Sequence, residues 1–202
     1  MLAREIEIKT PITEDAARNV NAGDMVYLTG SIFVFVSPKA CMRTLDEFHK
    51  TRKLPMNLEG GVMGHCGVVL KKKEKGYDLV FFGPTTSARM DGQNPDMIET
   101  FKMRAVIGKG GMSRETLESM KKVGCFYMLL PGGCTPIFTA HTRGVLNTYF
   151  PELEWYDAVH EIAVERLGPL VVTMDAKGHD LHGETEKEAN DHLGELYKQL
   201  QI

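Results

Sequence analysis

The stretch Gly83-Pro84-Thr85-Thr86-Ser87-Ala88-Arg89-Met90-Asp91 holds more reactive function than a connection between two elements requires. Behind a chain-breaking Gly-Pro stand three consecutive hydroxyls, a guanidinium and a carboxylate. Two further glycine-rich turns follow, Gly108-Lys109-Gly110-Gly111-Met112 and Pro131-Gly132-Gly133-Cys134-Thr135. Together they offer Thr85, Thr86, Ser87, Arg89, Asp91, Lys109 and Cys134, with backbone N–H groups freed by glycine. An arginine clamps a carboxylate through two parallel bonds and a lysine adds a point charge, so this set suits a small dianion, either a dicarboxylate or a phosphate. The plainer alternative is a polar loop in which Arg89 pairs with Asp91 or another acid and Lys109 is solvated. The second turn lacks the GxxxxGK[ST] spacing of a phosphate loop, and no spacing supports Cys134 as a nucleophile with His65 or His141 as base.

The elements around these loops must position them. Tyr77-Asp78-Leu79-Val80-Phe81-Phe82, Ala105-Val106-Ile107 and Cys125-Phe126-Tyr127-Met128-Leu129-Leu130 read as strands, each ending at one of the loops. In an α/β layer the carboxyl ends of strands lie together, so the three loops are expected to converge on one edge. Helices are expected from Asn94-Pro95, with Met97, Phe101 and Met103 inward, and from the Ser113 cap to Gly124, with Leu117 and Met120 inward. A third follows Cys134-Thr135-Pro136 and carries Ile137, Ala140 and Val145.

Upstream, Thr13 caps a short helix bearing Ala17 and Val20, and residues 25–36 read as two strands or one bent strand. Ser37-Pro38 starts a helix with Cys41, Leu45 and Phe48 on its inner face. Val62 to Leu70 is a glycine-broken strand leading to a solvated hairpin tip at Lys71-Lys72-Lys73. Downstream, 162–167 and 169–175 read as two strands, Asp175 to Asp180 as a turn, and Glu184 to Leu200 as a charged amphipathic helix.

Composition limits the remaining possibilities. At 202 residues, 43% hydrophobic and 25% charged, the chain can bury a core and is expected to form one domain over 1–202, with its core at about 8–182. A net charge of −3 with scattered Lys and Arg gives no footprint for nucleic acid. No stretch approaches the roughly 20 apolar residues that span a bilayer, and Met1-Leu2-Ala3-Arg4-Glu5 lacks a signal-peptide core, so a cytoplasmic protein without membrane contact is expected. Cys41, Cys66, Cys125 and Cys134 form no CxxC, and each is expected to be a small buried residue rather than a metal ligand.

Taken together, Gly83–Asp91, Ile107-Gly108-Lys109-Gly110-Gly111-Met112, Pro131-Gly132-Gly133-Cys134 and Asp175-Ala176-Lys177-Gly178-His179-Asp180-Leu181 resemble the β subunit of class I iron-sulfur hydro-lyases, the fumarate hydratases and L-tartrate dehydratases. Thr10-Pro11-Ile12-Thr13 and Gly23 to Gly30 match too, so the likeness runs over roughly residues 8 to 182. The resemblance implies an α/β fold, a swivelling β/β/α domain with a mixed sheet and flanking helices. It also implies pairing with an α subunit that carries a [4Fe-4S] cluster, in a dimer of heterodimers. The fourth iron of such a cluster has no protein ligand and acts as a Lewis acid on the leaving hydroxyl.

Carried over residue by residue, the resemblance makes Thr85 the proton-transfer group and Arg89 and Lys109 substrate ligands, and Gly133 and Cys134 are expected to bind substrate as well. Thr86, Ser87 and Asp91 support the loop. The expected substrate is a small hydroxy-dicarboxylate, malate/fumarate or L-tartrate/oxaloacetate. One departure stands out: Val36 occupies the place of a substrate-contacting arginine in relatives, leaving Lys39 or Arg43 to compensate or the substrate to differ at that end. A second reading, of another class, is a stand-alone module that binds small anions without catalysis.

Overall fold

The computed structural model describes residues 3–74, 76–154 and 156–200. Met1 and Leu2 of the N-terminal segment considered above lie outside the described residues. In chain order the elements are β1 (Glu5–Lys9), α1 (Glu14–Arg18), β2 (Met25–Val34), α2 (Pro38–Thr51), β3 (Val62–Gly64), β4 (Cys66–Lys72) and β5 (Tyr77–Pro84). A 3₁₀ turn (Ser87–Met90) precedes α3 (Asn94–Phe101), β6 (Ala105–Gly108), α4 (Arg114–Val123), β7 (Phe126–Leu129), α5 (Thr135–Ala140), β8 (Thr142–Tyr149), β9 (Val159–Met174) and α6 (Leu181–Leu200).

Two cores follow from the alternation of side chains across a pleated strand. Val62, Ala105, Ile107, Phe126 and Met128 point into one core with Val26, Leu28, Ile32 and Val172. Met63, Val106 and Tyr127 point to the other face, where Cys41 and Leu45 of α2, Met97, Ile98 and Phe101 of α3, and Leu117 and Met120 of α4 cover them. Each such large side chain taken from water contributes about 1.5–3 kcal/mol, so the helices are held chiefly by their apolar stripes.

The main sheet has the order β1-β2-β3-β6-β7-β9-β8. β1, β2, β3, β6 and β7 pair in parallel, and β9 runs antiparallel to both β7 and β2, so the sheet curls back upon itself. β4 and β5 form a separate antiparallel hairpin. This is the α/β fold with mixed sheet and flanking helices that the sequence led one to expect. Among the described residues no helix is long and apolar enough to cross a membrane.

Local expectations met mixed outcomes. The Thr13 and Ser113 hydroxyls accept from Ala16 N (3.2 Å) and Thr116 N (3.3 Å), capping α1 and α4, and Gly124 ends α4 at φ 74°. Residues 25–34 form one strand. β1 went unanticipated although Glu5-Ile6-Glu7-Ile8-Lys9 alternates strictly. Asn94 does not cap α3; it is the first helical residue, buried, with its amide donating to Met112 Sδ (3.3 Å). Ser37 does not cap α2 either, because its hydroxyl is drawn to Asp157.

Three longer readings are corrected. The helix expected through Val145 stops at Ala140, and 142–149 form β8 instead, because this segment pairs with β9. Phe138, not the 59% exposed Ile137, anchors that helix. The two strands at 162–175 are one bent strand, β9. Finally, the strand at 62–70 breaks at His65, and its halves β3 and β4 enter different sheets.

Candidate active site

The first loop is delivered by the β4–β5 hairpin, whose register sets Cys66 opposite Pro84. Thr85 N then donates to His65 O (2.8 Å), Lys109 N to Thr85 O (3.2 Å) and Ser87 N to Lys109 O (3.0 Å). Thr86 and Lys109 form an isolated parallel bridge. Main-chain bonds therefore stitch the end of β5 to the end of β6 and seat Thr85 beside Lys109. The chain next makes its 3₁₀ turn, which buries Ser87 and Met90 and leaves Arg89 exposed.

Asp91 faces away from Arg89's role. Its carboxylate accepts from Ser113 N (3.1 Å) and Thr116 Oγ1 (3.0 Å), tying the loop to the first turn of α4, where a negative charge is favoured. Arg4, Arg18, Arg43, Arg104, Arg143 and Arg166 each meet a carboxylate within 3.1 Å. Among the described residues no acid lies within ion-pair reach of Arg89 or Lys109. The pairing that would make this loop merely structural is not made.

Thr85 Oγ1 is buried and has no hydrogen-bond partner among the described residues. Leaving a buried hydroxyl unsatisfied costs about 1–3 kcal/mol, so the chain keeps an unmet polar group at the seam between two cation-bearing loops. Ser87, by contrast, is fully engaged: its Oγ lies 3.0 Å from His65 Nδ1 and 3.0 Å from the Tyr127 hydroxyl, which donates to Gly110 O (2.9 Å). All three side chains are buried. Burial pushes the His65 ring down to about 4, with the Asn94 side chain opposing it, and pushes the Tyr127 hydroxyl up.

The third loop joins from α5. Thr135 packs so tightly on Gly83 that a Cβ there would stand 2.8 Å from Thr135 Oγ1, and Leu130 N donates to Gly108 O (2.8 Å). Phe82 N donates to Thr139 Oγ1 (3.1 Å). The three loops do lie together, but only two of them leave the parallel sheet; the first arrives from the separate hairpin. Gly133 takes φ 83° and is exposed, and Cys134 is half-buried. Val36 is half-buried against the first core. Of the two residues considered as its substitutes, Lys39 pairs with Asp157 (3.4 Å) and Arg43 is held by Glu47 and Glu152 over the Phe150 ring.

Sequence reasoning missed His65, Tyr127 and Asn94 as partners of this site. His65 entered only as a base for Cys134, and the structure gives it to Ser87 instead. The available signal was a phenol inside an otherwise apolar strand, since a buried Tyr hydroxyl needs a partner. Of the four cysteines expected to be buried, Cys134 is only half-buried, whereas Cys41, Cys66 and Cys125 are buried and burial raises their thiols, Cys41 to about 12. A metal cluster needs thiolates, and such sites disfavour them. Among the described residues no three His, Cys, Asp or Glu side chains gather as metal ligands, so this chain's own residues do not fit an iron-sulfur cluster.

The mixed-sheet α/β domain thus brings Arg89 and Lys109, which meet no acid among the described residues, onto adjoining loops with the unsatisfied Thr85 hydroxyl. The comparisons say which family such a domain belongs to. The family described as Fumarase C-terminus matches residues 2–185. A protein of Methanocaldococcus jannaschii provisionally named L(+)-tartrate dehydratase subunit beta is 34% identical over 186 residues, covering 92% of this chain and 95% of that one. The L(+)-tartrate dehydratase subunit beta of Escherichia coli is 30% identical over 180 residues, 89% of this chain and 88% of its own. A Geobacillus stearothermophilus protein provisionally named class I fumarate hydratase is 32% identical over 96% of this chain, which spans 36% of that longer protein. The chain belongs to the Fumarase C-terminus family, that of the β subunits of class I fumarate hydratases and tartrate dehydratases.

Proposed function

We propose that this chain is the β subunit of a hydro-lyase that reversibly dehydrates a small hydroxy-dicarboxylate, malate/fumarate or L-tartrate/oxaloacetate, and is active only with an α subunit. The observation that carries the reading is the buried Thr85 hydroxyl, without a hydrogen-bond partner among the described residues, on joined loops whose Arg89 and Lys109 meet no acid among those residues. In this reading the [4Fe-4S] cluster sits on the α subunit and supplies a Lewis acid toward the leaving hydroxyl. The assembly is a cytoplasmic dimer of heterodimers.

The chemistry left to this chain is recognition and proton transfer. Arg89 clamps one substrate carboxylate through two parallel bonds and Lys109 draws negative charge toward the seam. Thr85 acts as the alkoxide, favoured by the positive charge of Arg89 and Lys109. Its Oγ takes the proton from the carbon next to a carboxylate and becomes the hydroxyl, while the C–H electron pair forms the double bond and the substrate hydroxyl departs. A hydroxyl is far too weak a base in water, so the step depends on exclusion of solvent, which its burial supports, and on the field of Arg89 and Lys109. Gly133 and Cys134 form the far wall, Asp91 and Ser87 hold the loop, and Thr86 contributes its bridge to Lys109.

The test is anaerobic co-expression with the α subunit, followed by assay against malate, fumarate and the tartrate isomers. Turnover by the complex and none by the chain alone is the expected result. Turnover by the chain alone would refute the subunit reading, and a complex that binds these acids without converting any would favour a plain binding module.

A further inference from the structure

The buried side chains behind the first loop form a chain whose direction geometry alone decides. The Tyr127 hydroxyl has one proton, and the Gly110 carbonyl at 2.9 Å can only accept it. The Ser87 hydroxyl must then donate to Tyr127 Oη, leaving its oxygen to accept from His65 Nδ1. His65 therefore carries a proton on Nδ1. Its Nε2 is buried and makes no hydrogen bond of ordinary geometry among the described residues, the Asn94 side chain being the polar group that acts on the ring besides Ser87.

These three side chains come from three places, Ser87 from the first loop, His65 from the junction of the two sheets and Tyr127 from β7, and the Tyr127 bond to Gly110 adds the second loop. We propose that Tyr127, Ser87 and His65 form a one-way hydrogen-bond relay that positions Thr85 and Arg89 against Lys109. The relay rests on the reading that these loops make the hydro-lyase site. Backbone bonds fix Thr85 and Lys109 only at their main chains. Ser87 is two residues from both Thr85 and Arg89, and Gly110 follows Lys109, so the relay ties down the loop segments that carry the working side chains.

Gly108 supplies independent support. A Cβ added there would overlap the Ser87 hydroxyl and stand 3.2 Å from His65 Cβ and 3.3 Å from the Tyr127 hydroxyl. Its φ lies outside the left-handed region, so backbone strain does not call for glycine at this position. What requires glycine is the passage of the relay across the end of β6. Gly108→Ala thus displaces the Ser87 hydroxyl while deleting none of the bonding groups.

Two readouts test the proposal. In the full-length chain labelled with 15N-histidine, His65 should show the neutral Nδ1–H tautomer near pH 7, and Tyr127→Phe should shift its ring nitrogens. In the complex with the α subunit, Ser87→Ala, Tyr127→Phe and Gly108→Ala should each lower kcat by roughly 10- to 100-fold, the scale of a misplacement near 1 Å, with KM changed much less. The Ser87→Ala/Tyr127→Phe double variant should lose no more than the worse single one, because one chain is cut twice. An Nε2–H tautomer in the wild type, kcat within twofold for the three variants, or fully multiplicative losses would overturn the relay. If Thr85→Ala also kept full turnover, the site assignment itself would fail, whatever the tautomer of His65.

Discussion

The loop at 83–91 and the turn at 131–135 look alike on paper, each a glycine-bearing end of a strand followed by hydroxyls, yet the molecule treats them differently. The first is sewn to the Lys109 turn by two backbone bonds, anchored by Asp91 to α4 and backed by a buried hydrogen-bonded chain. In the second, Gly132 and Gly133 are exposed and Cys134 is half-buried, with Thr135 packed on Gly83 as its main attachment. Composition marks a loop as able to do chemistry. Rigidity comes from partners far away in sequence, and rigidity is what proton transfer at a fixed atom needs.

If that contrast is right, substitutions should grade in effect between the two loops. The largest loss is expected from Arg89→Ala or Lys109→Ala in the complex, each lowering kcat/KM by about 10²–10³, as for removal of one preorganised charge-stabilising group. Steady-state kinetics on a complex shown intact by size-exclusion chromatography checks this, and near wild-type values for both would erase the distinction.

A second effect is on stability and comes from the first loop's backing. The His65 ring is held near 4 by burial, against about 6.5 when unfolded. The unfolded chain therefore takes up a proton that the folded chain refuses between these values. Stability is fully present above about pH 6.5 and declines as pH falls toward 4, by up to about 1.4 kcal/mol per pH unit. Urea unfolding of the wild type and of His65→Gln across that window should show the slope reduced in the variant. Asp175 acts lower: burial pushes its carboxyl up, but the amides of Ala22, Lys177 and His179 and the His179 ring hold it below the usual range, so its contribution is lost at more acid pH.

The smallest effect is expected at the looser turn. Cys134→Ala should raise KM by less than about tenfold and leave kcat nearly unchanged, the scale of one apolar or weakly polar contact. A loss as deep as that of Arg89→Ala would show that the two loops carry equal weight.

What could be read from the sequence was what short-range chemistry decides. The Thr13 and Ser113 caps, the Gly124 stop and the three loops were legible because each depends on residues within a few positions. The helix wrongly extended through Val145 shows the limit, since pairing with β9 overrides local preference there. Nothing local marks His65 as the point where one strand leaves a sheet for another. The bond of Tyr127 to Gly110, and the choice of Asp91 for α4 over Arg89, likewise depend on packing between elements that only the fold brings together.

Whether Thr85 moves the substrate proton is read directly by isotope exchange. In deuterated water the wild-type complex should incorporate deuterium at the carbon beside the carboxylate, and Thr85→Ala should lose that incorporation while still forming the complex and binding the dicarboxylate. Undiminished incorporation by Thr85→Ala would place the proton-transfer group elsewhere and contradict the account.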